Sequence, residues 1–301
     1  MNTADRPQPP LKNRTVVITR AEHKGAVLKM DLERRGARVI SVPTIRFAPP
    51  NDPAPLERVL DSVADYNWLL FTSSMAVECF FKAARKRDLP NSTWSRFHFG
   101  VVGATTASRL ASSDVHGKEL VVAGTAIGLG NTLLGAPGSE PLTPNDRCLF
   151  PHANIARTDL QDLLREENIP VDAVVAYETI PEAPEKARAF LNAAQGREVI
   201  DAIAFASPSA FKNFLTMTHP IGDQYIRDGR IPLVSIGPTT THAIVEAGHL
   251  VAKEAAPHSS AGILTAVCEL LCPEQTESLE SQSGSDDSPA NDGDQDRKEE
   301  A

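Results

Sequence analysis

Short apolar runs alternate with segments of helical period along most of the chain. Runs of four or five apolar residues, such as 68–71 and 202–205, are typical of strands that are buried on both faces. Segments such as 24–35 and 159–166 have apolar residues three or four positions apart, which predicts helices between the strands. The pattern predicts an α/β fold of parallel sheets flanked by helices. The predicted strands are 15–18, 37–40, 68–71, 100–102, 120–122, 148–150, 173–177, 202–205, 232–236 and 250–252.

The pattern occurs twice, which indicates a duplicated half. Phe71 and Gly103 lie 32 residues apart, as do Phe205 and Gly237, and the two pairs are offset by 134 residues. In both copies an apolar strand is followed by small or hydroxyl residues and then by a helix. Upstream segments match at an offset of 132 residues, 18–20 with 150–152 and 42–45 with 174–177. Two similar domains are therefore expected.

The repeated turns carry the candidate binding residues. A helix that begins where a parallel strand ends has unpaired backbone N–H groups and a partial positive charge, so it can bind a carboxylate or phosphate. A Ser or Thr at one such turn is most often only a helix cap. Turns built alike in both copies favour a shared site for a ligand with many acidic groups, where the two domains would face each other. The candidates are Thr72, Ser73, Gly103, Thr105, Thr106, Ser207, Ser209, Gly237, Thr239 and Thr240.

Charge and composition change this picture little. The net charge is −9, but 273–301 contains ten acidic residues and two basic ones, which leaves −1 for the rest. The tail has almost no apolar residues, so we expect it to be disordered. A nearly neutral folded part gives no basic stripe for nucleic acid. No apolar run is long enough for a membrane helix and no export signal is visible, so the expected location is the cytoplasm.

Several common chemistries are not indicated. The four cysteines and eight histidines form no C-x-x-C pair and no metal-ligand spacing, so neither a metal nor a redox site is expected. Gly128-Leu129-Gly130 lacks the third glycine of a dinucleotide-binding motif, and no phosphate-binding loop or esterase elbow is present. The sequence therefore predicts an enzyme or binding protein without metal or nucleotide.

Three further residues are candidates by position. Tyr177 ends an apolar strand near the middle of the chain, where a tyrosine is most often part of the core. Arg20 ends the first strand, where it is either a surface residue or a ligand contact. Arg157 is predicted to open a helix, where a cation opposes the helix dipole, so it either faces a ligand or is simply solvated.

Taken in order, these segments resemble the uroporphyrinogen-III synthase family. No one motif is diagnostic, but the ordered set is fairly specific and covers about residues 11–271. At 152–153 the chain has His-Ala where Arg-Gly is often seen, and Asn168 stands where glycine is common. These departures affect the local anion contacts of that turn rather than the fold. The segments that carry the resemblance are 16–20, Gly36, 43–45, 71–73, 102–107, 176–179, 205–210 and 236–240.

The resemblance implies an interleaved architecture. One discontinuous domain would contain 11–37 and 182–272, and the other would contain 48–171. Two extended segments, 38–47 and 172–181, would cross between them, with Tyr177 at the hinge.

The resemblance also implies an activity. The family cyclises hydroxymethylbilane, a linear tetrapyrrole polycarboxylate, to uroporphyrinogen III in heme biosynthesis. The last ring is inverted and water is lost, without a cofactor. By resemblance, Tyr177 would assist departure of the hydroxyl as a weak acid. The turns, together with Arg20 and Arg157, would hold the carboxylates, largely through backbone N–H groups. The protein would be a monomeric lyase.

Two alternatives remain open from the sequence. A non-catalytic two-domain protein that binds a small anion and closes by a hinge would have the same layout. Such proteins usually carry an export signal, and none is visible here. An unrelated lyase acting on a small anion would also fit the turns. Identifying the porphyrin isomer formed from hydroxymethylbilane separates these possibilities.

Overall fold

A computed structural model describes residues 9–135, 141–196, 198–227, 229 and 231–272. The predicted disordered tail, 273–301, lies outside the described residues. The chain divides into two compact units, 1–46 with 181–301 (unit 1) and 47–180 (unit 2). Both changes of unit fall inside 38–47 and 172–181, the two segments expected to cross between domains.

Unit 1 contains a five-stranded sheet in the order β11-β10-β9-β1-β2, and its pairs are parallel. The strands are β1 (Thr15–Ile18), β2 (Arg38–Ser41), β9 (Ala202–Phe205), β10 (Leu233–Ser235) and β11 (Lys253–Glu254). The helices are α1 (Glu22–Arg34), α7 (Arg188–Gln195), α8 (Pro208–Thr218), α9 (Ile221–Arg227), α10 (Pro238–Glu246) and α11 (Ser260–Leu271).

The second sheet lies in unit 2 except for the first two residues of β3 and the last residue of β8. It has six strands in the order β3-β8-β7-β4-β5-β6, in which β4 to β8 pair in parallel. The strands are β3 (Ile45–Ala48), β4 (Trp68–Phe71), β5 (His98–Val102), β6 (Glu119–Ala123), β7 (Cys148–Ala153) and β8 (Val171–Pro181). The helices are α2 (Ala54–Asp61), α3 (Ser74–Lys86), α4 (Ala104–Ala111), α5 (Ala126–Leu133) and α6 (Asp159–Glu166).

Each sheet is covered on both faces, which explains its continuous apolar strands. In β1, Val17 joins one buried cluster while Val16 and Ile18 join another. In β4, Phe71 joins a cluster with the α3 side chains, whereas Leu70 packs with side chains of α5 and α6. Alternate residues of a strand point to opposite faces, so both faces of a central strand are apolar. The predicted fold class is confirmed.

One predicted strand is wrong. Residues 250–252 are irregular, and the edge strand β11 begins only at Lys253. Gly248 turns the chain with φ +84°, and Leu250 follows with 86% of its surface exposed. The apolar run therefore belongs to the turn that leaves α10 and not to the sheet.

Candidate functional site

The carboxyl edge of the unit 2 sheet contains three successive strand-to-helix turns, after β4, β5 and β6. Ser73 Oγ accepts the Ala76 N–H at 3.1 Å and caps α3. Thr125 Oγ1 accepts the Gly128 N–H at 3.0 Å and caps α5. Between them, Gly103 has φ +83° and begins α4 without a side-chain cap. The early N–H groups of each helix have no intrahelical acceptor, which makes this edge suited to anions.

Unit 1 repeats the arrangement after β9, β10 and β11. Ser207 Oγ accepts the Ala210 N–H at 3.0 Å, and Ser259 Oγ accepts the Gly262 N–H at 3.1 Å. Gly237 lies between them, again with no side-chain cap. Each of these capping residues follows its unit 2 counterpart by 134 residues. The duplicated turns are thus present in three dimensions.

The third pair of turns, at Thr125 and Ser259, is not among the candidates predicted from the sequence. A hydroxyl followed three residues later by glycine and then by a buried Leu129 or Ile263 marks both copies at the same offset. Of these two glycines, only Gly128 belongs to the segment that was compared with a dinucleotide-binding motif. The periodic offset was the signal that could have found this pair.

Tyr177 and Ser73 are brought together in unit 2. Tyr177 Oη lies 3.2 Å from Ser73 Oγ, and the tyrosine is 6% exposed. The Phe47 ring packs edge-on against it, with ring centroids 5.5 Å apart. Burial is the main reason that the pKa of Tyr177 is raised; the nearby Cys79 adds to the rise and the hydrogen bond to Ser73 opposes it. The phenol is therefore protonated near neutral pH and can act as a hydrogen-bond donor.

Ser73 has the capacity for both contacts at once. Its Oγ accepts the Ala76 N–H and keeps one proton and one further lone pair, so either hydroxyl of the Ser73–Tyr177 pair can donate to the other. If Ser73 donates to the phenol oxygen, the phenolic proton remains available for a ligand. One side chain thus caps α3 and orients Tyr177.

Six hydroxyl candidates remain besides Ser73 and Ser207, and three of them are exposed. Ser209 Oγ lies 3.0 Å from Ser207 Oγ. Thr106 and Thr240 are buried, at 4% and 0% exposure, and Thr240 Oγ1 has no hydrogen-bond partner in the described part of the chain. Their side chains pack inside their own units, and their backbone N–H groups already donate to the carbonyl oxygens of Gly103 and Gly237, so neither residue is placed to bind a ligand. The exposed candidates are Thr105, Ser209 and Thr239, and Thr72 is half-buried.

The two arginine candidates differ in their surroundings. Arg20 is half-buried at the end of β1 and donates to Ser260 Oγ at the start of α11; burial lowers the pKa of its guanidinium. Arg157 does not open a helix, because α6 begins two residues later at Asp159. Its exposed guanidinium forms an ion pair with Asp159, N–O 2.6 Å, so a carboxylate of its own chain already offsets the charge.

His152 adds a titratable ring to the carboxyl edge of unit 2. It lies near the end of β7, between β4 and β8, and is half-buried. Its Nδ1 lies 2.7 Å from the carbonyl oxygen of Ala153, and its ring packs against Phe150 at 5.2 Å between centroids. His152 is not among the candidate site residues predicted from the sequence.

Metal binding and membrane insertion receive no support from the described residues. Within them, no three His, Cys, Asp or Glu side chains are grouped so as to hold a metal ion. None of the described helices has both the length and the apolar composition to cross a bilayer.

Comparison with known proteins decides the family. The family model described as uroporphyrinogen-III synthase HemD matches residues 26–264, well over half of the 301 residues. The chain belongs to the uroporphyrinogen-III synthase family. The resemblance noted from the sequence is thereby confirmed.

Curated relatives and solved structures agree with that family. A uroporphyrinogen-III synthase from Synechococcus elongatus is 28% identical over 265 residues, covering 86% of this chain and 96% of the relative. A mutant uroporphyrinogen III synthase from Thermus thermophilus has a TM-score of 0.55 at 17% identity, covering 87% of this chain and all of that structure. A uroporphyrinogen-III synthetase from Helicobacter pylori has a TM-score of 0.54 at 18% identity, over 85% of this chain and 99% of that one. At these identities the structures support the fold alone.

Proposed function

We propose that this chain is a uroporphyrinogen-III synthase, a lyase that cyclises hydroxymethylbilane with inversion of the last ring and loss of water. The observation that carries the proposal is the Tyr177 Oη to Ser73 Oγ contact of 3.2 Å, in a chain that belongs to this family. A monomeric state, a cytoplasmic location and catalysis without a cofactor are parts of the same proposal.

Tyr177 would assist the first chemical step. The electron-rich pyrroles expel hydroxide and leave a stabilised cation, and a donor at the leaving oxygen lowers the cost of that departure. The buried phenol keeps its proton because burial raises its pKa. In the proposed step Ser73 donates to the phenol oxygen across the 3.2 Å contact, which directs the phenolic proton away from Ser73 and toward the substrate.

The turns would hold the acetate and propionate groups. The N–H groups would come from six helix starts, three in each unit, that form three pairs 134 residues apart. The residues before these helices are Ser73, Gly103, Thr125, Ser207, Gly237 and Ser259. A carboxylate at a helix start gains hydrogen bonds and a favourable interaction with the dipole without needing an arginine or lysine. This matches the nearly neutral charge outside the acidic tail.

The test is the identity of the cyclised product. The purified protein is given hydroxymethylbilane, and the oxidised porphyrins are separated into isomers. Formation of isomer III above the spontaneous rate is expected. Isomer I alone, the spontaneous product, would reject the proposal and leave the chain as a binding protein or another lyase.

The role of Tyr177 is tested with a matched pair of tyrosines. Tyr177→Phe should lower kcat by about 10²-fold while changing KM little, because a general acid acts mainly in the transition state. Tyr66 is also buried in unit 2, with its hydroxyl donating to Asp172 at 2.7 Å, so Tyr66→Phe is the control and should keep its kcat. Wild-type kcat in Tyr177→Phe would remove Tyr177 from the mechanism.

A further inference from the structure

The contact between His152 and Ala153 fixes the tautomer of a histidine at the carboxyl edge of unit 2. His152 Nδ1 is 2.7 Å from the Ala153 carbonyl oxygen. A carbonyl oxygen can only accept, so Nδ1 carries the hydrogen. In the neutral ring Nε2 then has an unshared electron pair. Such a nitrogen is a proton acceptor, which is the usual role of a histidine oriented through its other nitrogen.

The fold holds this ring at the same edge of the sheet as the residues already assigned to chemistry. β7 lies between β4, which leads to Ser73, and β8, which contains Tyr177. Phe150 packs against the His152 ring and belongs to the cluster on the α5 and α6 face. Tyr177 belongs to the cluster on the α3 face. The phenol and the imidazole therefore lie at one edge of the sheet but on opposite faces, as an acid and a base serving different atoms would.

The proposed reaction needs such a base. The C–O bond of the hydroxymethyl group breaks, and its electron pair leaves with oxygen as hydroxide. The resulting cation is closed by a C–C bond to a ring carbon that still carries hydrogen, and the C–H electron pair returns to the pyrrole when that hydrogen leaves as a proton. The ring inversion breaks one C–C bond and forms another, so it does not alter this balance. Hydroxide and the proton together make the water that is lost.

We propose that His152 Nε2 accepts the proton from the free α-carbon of the last pyrrole ring, while Tyr177 acts on the leaving oxygen. The imidazolium then releases its proton to solvent, and a phenolate at Tyr177 takes one up, which restores both side chains. This inference rests on the proposed synthase function.

The variant that isolates Nε2 is His152→Asn. The asparagine amide can replace the Nδ1–H donation to Ala153 but has no basic nitrogen. Production of isomer III should fall roughly 10²- to 10⁴-fold in kcat, with KM within about threefold of wild type. Added imidazole should restore part of the activity. Hydroxymethylbilane with deuterium at the free α-carbon of its last ring should react more slowly than unlabelled substrate in this variant.

His98 provides the matched control. It is also a half-buried histidine of unit 2 with its ring against an aromatic residue, Trp68, at 4.8 Å between centroids. It begins β5 at the opposite end of the sheet, and its Nδ1 lies 3.2 Å from Glu119 Oε2. His98→Asn should keep wild-type kcat and gain nothing from imidazole.

The outcomes separate this inference from the function. Wild-type protein that forms no isomer III rejects the function and the inference together. If wild type forms isomer III, a wild-type kcat in His152→Asn, a loss confined to KM, or a slow variant without a deuterium effect overturns the role of His152 alone. Thermal unfolding confirms that the variants are folded. His152→Gln serves as a second variant, and full activity in it would likewise overturn proton acceptance, because its amide is not a base.

Discussion

Ser73 combines two roles that substitution can separate. Ser73→Ala removes the cap of α3 and the partner of Tyr177 Oη together. Loss of a serine cap costs about 1 kcal/mol, which corresponds to roughly 3–4 °C in Tm for a unit of this size. Loss of a neutral hydrogen bond in the transition state costs about 0.5–1.5 kcal/mol, or about 2- to 13-fold in kcat. Ser73→Gly removes the same hydroxyl but costs the helix only a few tenths of a kcal/mol.

The test compares the Tm and the rate of isomer III formation of these variants. Thermal unfolding should rank wild type and Ser73→Gly above Ser73→Ala, whereas isomer III production should fall equally in both variants. Ser73→Thr keeps a capping hydroxyl and should recover most of the turnover and the stability. If turnover follows Tm through the series, or stays within twofold of wild type in all variants, the Ser73 hydroxyl is only a helix cap and the reasoning about Tyr177 is refuted.

Three further outcomes are expected from the structure. Asp172→Ala removes both the acceptor of the Tyr66 hydroxyl and the ion-pair partner of Arg147, and should lower the free energy of unfolding by about 1–3 kcal/mol in urea. Burial lowers the pKa of His249, so the free energy that its neutral ring contributes to folding should be fully present above about pH 6.5 and be lost as the pH falls below it. The decrease of Tm between pH 8 and pH 5 should therefore be smaller in His249→Leu than in wild type. Gly103→Ala meets no atom within 4 Å but must adopt φ +83° and ψ 151°, a region that is essentially restricted to glycine, so denaturant unfolding should show a loss of about 1–3 kcal/mol from the backbone alone.

The surroundings of His249 determine whether its protonation raises or lowers the stability of the fold. The ring is buried, and its Nε2 lies 3.4 Å from Asp223 Oδ1 without hydrogen-bond alignment. Asp223 opposes the effect of burial on the His249 pKa, but burial is the larger cause. The pKa of Asp223 is itself lowered, chiefly by its hydrogen bond to Arg227, so its contribution is also lost as the pH falls, at a more acidic pH. Both groups therefore destabilise the fold in acid.

Most strands could be predicted from the pattern of apolar residues, because that pattern is set by residues that follow one another in the chain. A strand covered on both faces must be apolar at every position, and 15–18, 68–71 and 202–205 match β1, β4 and β9 at both ends. The pattern failed at 250–252, because an apolar run at the end of a helix looks like a strand until Gly248 is known to turn the chain. The match of 159–166 to α6 shows that helices with a strong apolar stripe are equally readable.

Side-chain contacts at the site could be predicted only in part. The repeated offset identified the turns, but it does not show which way a side chain points. The burial of Thr106 and Thr240 could therefore not be predicted. Nor could the sequence show that Asp159 would pair with Arg157, since a one-residue change in helix start alters which charges meet. The partner of Tyr177 comes from 104 residues away along the chain, and only the order of β4, β7 and β8 brings it within reach.

The duplicated turns have diverged where chemistry would require it. Ser73 and Ser207 occupy equivalent positions, and each caps its helix by accepting an N–H from the third residue after it. Ser207 has Ser209 as its side-chain neighbour, whereas Ser73 has Tyr177. A cap needs only the backbone of its own helix, so it survives duplication unchanged. A phenol on β8, two strands from β4, adds nothing to the cap. Its contact with Ser73, where Ser207 instead contacts Ser209, is the asymmetry expected if both copies bind carboxylates and one also handles protons.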